Sequence, residues 1–131
     1  LITLDLMVHD LDIPTPSEIA KSGIVSIETP VNIMLTMAEM AVKYNISVYD
    51  AALMLYAKES GSILLSGDKL LRTASKKEGV TVKGTLWVLE ELVAKKNIQA
   101  NKACFILERM FMLGRRLPSE ESSSKIIQWE K

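Results

Sequence analysis

Ser47-Val48-Tyr49-Asp50-Ala51 and, one helix length later, Ile63-Leu64-Leu65-Ser66-Gly67-Asp68-Lys69-Leu70-Leu71-Arg72 decide the fold. Ser47 is a hydroxyl N-cap, and Asp50 stands three residues on, where a capping box puts its acid. Ala51 to Lys58 are strong helix formers until Gly61, which allows the chain to turn. Ile63-Leu64-Leu65 is a short apolar run of the kind buried in a parallel sheet, and Asp68 then opens a further helix as its N-cap. A helix of about 11 residues is roughly 16 Å long, and a strand of four or five residues is about as long. Only Gly61 and its neighbours join the two, so the strand runs back along the helix. Helix start and strand end then lie side by side, which brings Asp50 and Asp68 to one edge of the sheet. Open α/β sheets place their ligands at that edge.

Upstream, Leu1 to Leu11 reads as a strand end and a helical turn, stopped by Pro14 and Pro16. Ile24-Val25-Ser26-Ile27 is a β-branched strand, and Thr29-Pro30 reads as an N-cap with proline at the first helical position, opening a helix to about Tyr44. Downstream, the Asp68 helix runs to about Glu78 and ends at Gly79, and Val80 to Val82 is another short strand. Helices then follow from Leu86 to Lys95 and from about Ala100 to Leu113, the last stopped by Gly114. Strands alternating with helices imply a parallel sheet with helical cover, one α/β domain over residues 1–114. Residues 115–131, with Ser122-Ser123-Ser124, read as a polar tail, in which Ile126, Ile127 and Trp129 could dock on the domain or on a partner.

The chain has 131 residues, enough to bury about two-thirds of its extended surface. With 48% apolar and 24% charged residues it is neither a disordered chain nor a disulfide scaffold. A single cysteine, Cys104, cannot close an intrachain bridge, and with His9 the only imidazole a Cys/His zinc site is excluded. Any metal must be held by oxygen, which favours magnesium or manganese. Sixteen acidic and 16 basic residues cancel, leaving no whole-molecule field to attract nucleic acid. The longest apolar run, Ala51 to Ala57, is far short of the roughly 20 residues a bilayer span needs. The chain reads as a cytoplasmic protein with no membrane partner. It also opens in what reads as mid-element, as if an N-terminal piece were missing.

Two uses of the carboxylates stand side by side. Asp50 and Asp68 are good helix-start residues and need be nothing more. Converging at a strand end with the Ser66 hydroxyl between, they could also hold a hard divalent cation that keeps several of its waters. The uses are compatible, since a carboxylate at a helix start can face a cleft. Lys69, Arg72, Lys76 and Lys77 follow on the helix that Asp68 opens, either as a solvated face or as a grip on flanking phosphates. Arg109, Arg115 and Arg116 form a second basic group, for which a helix C-terminus is the simplest setting. His9 reads as a hydrogen-bonded structural residue or as one that orients substrate or water, Cys104 as a small core residue, and Met34, Met37 and Met40 as a core stripe or a partner-binding face.

The order and spacing of Ser47-x-x-Asp50-Ala51, a helix, and an apolar strand ending in Ser66-x-Asp68 resemble the central signature of the PIN-domain family, the fold of VapC-type ribonuclease toxins. Val80 and Gly84-Thr85-Leu86 resemble the passage that precedes a helix in one PIN subgroup, and the likeness extends over roughly Leu1 to Leu92. The resemblance implies an α/β/α sandwich and an endoribonuclease dependent on Mg2+ or Mn2+. In-line attack by water on an RNA phosphodiester would leave 5′-phosphate and 3′-hydroxyl ends. By position, Asp50 matches the third acid of the family's site, Asp68 the fourth, and Ser66 the supporting hydroxyl. Asp10, in Leu6-Met7-Val8-His9-Asp10-Leu11, matches the second acid, one methylene shorter than the usual Glu and with Asp12 close by. The first acid, at the end of the family's first strand, has no counterpart here, since Asp5 is too near Asp10. Either about 25 residues are absent upstream, or the site is incomplete and the domain is a non-catalytic protein- or RNA-binding module. The resemblance further implies an antitoxin partner that occupies the acidic groove and a homodimer formed through helices.

Overall fold

The computed structural model describes residues 2–4, 15–114 and 119–130. The elements run β1 (Ile2–Leu4), α1 (Pro16–Lys21), β2 (Val25–Ile27), α2 (Val31–Tyr44), α3 (Val48–Ser60), β3 (Leu64–Leu65), α4 (Lys69–Lys77), β4 (Val82–Lys83), α5 (Thr85–Ala94), α6 (Ala100–Met112) and α7 (Ser119–Glu130). The expected α/β class holds, with short strands in two two-stranded sheets, β1 with β2 and β3 with β4. The chain groups into two compact units, Leu1–Leu64 with Asp68–Val82, and Leu65–Gly67 with Lys83–Lys131.

In the first unit β1 and β2 are parallel, Ile2 opposite Val25 and Leu4 opposite Ile27. Leu4 is fully buried in a cluster with Ile33, Ala52 and Leu55. A second cluster joins Met54 and Ala57 to Leu64, Leu71, Ala74, Val80 and Val82. Helix α3 feeds both clusters, Ala52 and Leu55 into one and Met54 and Ala57 into the other. That is why its sequence is apolar almost all round, the mark of a buried helix rather than an amphipathic one. Of the expected methionine stripe, Met37 and Met40 pack against these clusters, whereas Met34 stays exposed.

Three local expectations change. Pro14 lies outside the described residues, and Pro16 does not simply end structure: Thr15 is an N-cap whose hydroxyl accepts from the Glu18 N–H at 3.2 Å, and Pro16 begins α1, where a missing N–H costs nothing. Pro30 itself occupies the N-cap position of α2, without a side-chain cap, and the expected cap Thr29 is buried. The strand expected at Val80 starts later, at Val82, because Val80 belongs to the end of α4. Gly79, at φ +76°, takes the left-handed conformation that favours glycine, its N–H donates to the Lys76 carbonyl, and the Val80 N–H donates to the Ser75 carbonyl at 2.8 Å. These are the two bonds of a Schellman ending.

The second unit is built from α5, α6 and α7 around Leu86, Leu89, Ala103, Cys104, Leu107 and Trp129. Cys104 is a buried core residue, as expected. The stretch read as a polar tail carries α7, which packs on α6 and sends Trp129 into the core at 7% exposure. Its serines hid this from a composition reading, whereas Ser122, Ile126 and Trp129 at helical spacing are the signal for a packed face.

Candidate metal centre

Ser47 precedes α3 with extended backbone, and its hydroxyl accepts from the Asp50 N–H at 3.0 Å. Asp68 precedes α4 in the same manner, its Oδ2 accepting from the Leu71 N–H at 3.0 Å. Ser47 and Asp68 are therefore helix caps, as one of the two readings holds, and Asp50 sits half-buried in the first turn of α3.

Capping does not consume the carboxylates. Burial pushes the Asp50 carboxyl above its ordinary value, the Ser47 hydroxyl pulls it part of the way back, and the charge on Asp68 pushes it up again. Two acids far apart in sequence thus lie within reach of each other's charge inside one unit. Of the two, Asp50 is half-buried and Asp68 is exposed. From the sequence Ser47 reads as a backbone cap; its hydroxyl also helps hold Asp50 ionised, and the Ser-x-x-Asp spacing is the signal for this.

Ser66 is half-buried just beyond β3 and belongs to the second unit, where its N–H donates to the Lys83 carbonyl at 2.9 Å. In the first unit the Leu64 N–H donates to the Thr81 carbonyl at 2.9 Å. Donor and acceptor both advance by two, the parallel pattern. Asp10, its neighbours His9 and Asp12, and Asp5 lie outside the described residues. Among the described residues no three Asp, Glu, His or Cys side chains gather into one cluster that could hold a metal ion.

The pair fits a hard divalent cation. Magnesium is held through only one or two carboxylates while keeping several waters, and manganese takes similar oxygen donors. Asp50 is half-buried beside a like charge, and a cation between the two would offset both the burial cost and the repulsion.

Comparison with curated proteins and with solved structures finds no match. Residues 21–131 match the profile of the family DUF3368, described as a PIN domain. PIN domains are α/β/α folds, generally nucleases, and typically use a divalent metal. The match takes in both carboxylates, Ser66, and helix α7 that the composition hid, and it covers most of the chain: this protein belongs to the PIN-domain family.

Proposed function

We propose that this PIN domain is an endoribonuclease dependent on magnesium or manganese, with Asp10, Asp50 and Asp68 as its metal-binding carboxylates and Ser66 as a supporting hydroxyl. The observation that carries the reading is the approach of Asp68 to the half-buried Asp50. When bound, the cation supplies positive charge against the scissile phosphate and an acidified water as nucleophile. The residues divide the remaining work. Asp50 is held by the Ser47 hydroxyl, and Asp68 is fixed by its bond to Leu71, so both carboxylates are oriented before substrate arrives. Ser66, just beyond β3, enters the proposal through its match to the hydroxyl position of the family's signature.

The finer identity extends the same proposal. A toxin role in a toxin-antitoxin pair, with an antitoxin segment over the acids, follows the likeness to VapC-type chains, and such a toxin works in the cytoplasm. A homodimer would use an exposed helix face, for which Val31, Leu35 and Val42 of α2 are available. No helix of the described residues is long and apolar enough to cross a membrane.

A second reading, a non-catalytic binding module, draws on the cap that Asp68 makes to Leu71. One experiment separates the two: incubation of a 5′-labelled single-stranded RNA with the protein in Mg2+ or Mn2+, with EDTA and with Asp50→Asn. Internal cleavage that both EDTA and the variant abolish supports the enzyme; RNA left intact under every condition sinks it.

A further inference from the structure

We propose that helix α4 is a phosphate track, on which Lys69, Arg72 and Lys76 bind successive backbone phosphates of an RNA strand leading to Asp50 and Asp68. This rests on the ribonuclease reading for its substrate, although its test does not need cleavage.

The three cations stand at i, i+3 and i+7, on one helix face, and cover about 10 Å of axis at 1.5 Å per residue. Leu71, Ala74 and Ser75 are buried on the other side. Lys69 and Lys76 are exposed and Arg72 is half-buried. Thr73, between them, turns its hydroxyl back to the Lys69 carbonyl at 3.0 Å and leaves the face to the cations.

What sets these cations apart is their spacing on one face and their start directly after Asp68. Lys58, Lys95 and Lys125 pair with Glu78, Glu91 and Glu90, whereas Lys69, Arg72 and Lys76, like Lys21, Lys77 and Lys102, make no ion pair among the described residues. The acid next along the chain, Glu78, is already engaged by the Tyr44 hydroxyl at 2.6 Å and by Lys58 at 3.2 Å. Helix stability accounts for Lys76, in the last turn, where a cation favours the helix dipole. It does not account for Lys69, which is the first residue of α4 and faces the positive end of that dipole. A row of unpaired cations that begins next to a site acid suits a ligand with evenly repeated negative charge, and a nucleic-acid backbone is such a ligand. Net neutrality of the chain does not oppose this, because phosphate contacts act over about a Debye length.

The test is fluorescence anisotropy of a short labelled single-stranded RNA in EDTA across a salt series. It compares wild type with Lys69→Gln/Arg72→Gln/Lys76→Gln and with a charge-matched control, Lys21→Gln/Lys95→Gln/Lys102→Gln. Glutamine keeps helix propensity, and thermal melts run alongside. The track variant should bind at least about 10-fold more weakly. Its slope of log affinity against log salt should be shallower by about 2, at roughly 0.7 for each phosphate that is no longer neutralised. The control should match wild type in both. Equal weakening of the two variants, unchanged binding by the track variant, or failure of wild type to bind RNA each overturns the track, as does displacement by polyglutamate at the same charge concentration as unlabelled RNA. Cleavage by wild type with unchanged binding by the track variant overturns the track and spares the enzyme; salt-sensitive binding through the track without cleavage does the reverse.

Discussion

Asp50 and Asp68, 18 residues apart in sequence, each stand at the start of a helix, and the charge of Asp68 reaches the half-buried carboxyl of Asp50. Burial and that charge raise the Asp50 pKa, against the Ser47 hydroxyl that lowers it. Folding has thus placed a carboxylate where its ionised form is disfavoured. An arrangement of this kind is common where a group has work to do.

The first prediction isolates the relationship. Asparagine caps a helix as well as aspartate, so Asp68→Asn should hold its bond to the Leu71 N–H and stay within about 0.5 kcal/mol of wild type, whereas Asp68→Ala should lose about 1 kcal/mol. With the charge gone, the Asp50 carboxyl should titrate at lower pH in Asp68→Asn than in wild type. Carbon-13 detected titration of the carboxyls and urea melts read the two quantities.

A second prediction concerns acid stability. Tyr44 donates to one oxygen of Glu78 and Lys58 to the other, and these contacts hold Glu78 below its ordinary value of 4.5. A depressed carboxylate pKa contributes stability that is present above the unfolded value and is lost as pH falls through the folded one. Glu78→Gln should therefore melt below wild type at neutral pH, with the difference shrinking as pH drops beneath 4.5. Asp50 has the opposite sign: its raised pKa makes its ionisation cost stability as pH rises from 3.8 to the folded value. A difference that persisted unchanged down to low pH would show that the Glu78 contacts are not electrostatic.

Third, Trp129 should matter as a core residue. Trp129→Ala should destabilise the second unit by about 3–5 kcal/mol, comparable to Leu107→Ala at the upper end of its class. Differential scanning calorimetry on the full chain reads this; a change within about 0.5 kcal/mol would return residues 115–131 to the status of a tail.

Fourth, Ser75 of α4 is completely buried with no partner for its hydroxyl among the described residues. An unsatisfied buried hydroxyl opposes folding, so Ser75→Ala should raise the urea midpoint, by up to about 1 kcal/mol of stability.

Much of this was legible along the chain, and the exceptions have physical causes. The segment from Ser47 to Leu71 declares itself because hydroxyl and carboxylate caps, Gly61 and an apolar strand are all local signals. Its caps are made as the residues imply. Val80 reads as a strand residue because β-branched residues favour strands, whereas tertiary context places it in the ending of α4. Helix α7 escaped notice because its face is small and interrupted by serines that score as loop. It forms because α6 offers an apolar surface for Trp129, which no local window contains. The Asp50 and Asp68 approach could be argued from element lengths alone. Placing Asp10 needs the residues between β1 and α1, which lie outside the described part of the chain.

The most direct test of the central claim, that Asp50 and Asp68 share one divalent cation, is isothermal titration of Mn2+ into wild type and into Asp68→Asn, whose helix cap is retained. Wild type should bind one ion, and the variant should bind it at least about 10-fold more weakly while melting as cooperatively as wild type. If wild type takes up no ion, or if Asp68→Asn binds manganese as tightly as wild type, the two carboxylates are helix caps that happen to be neighbours and the metal centre is wrong.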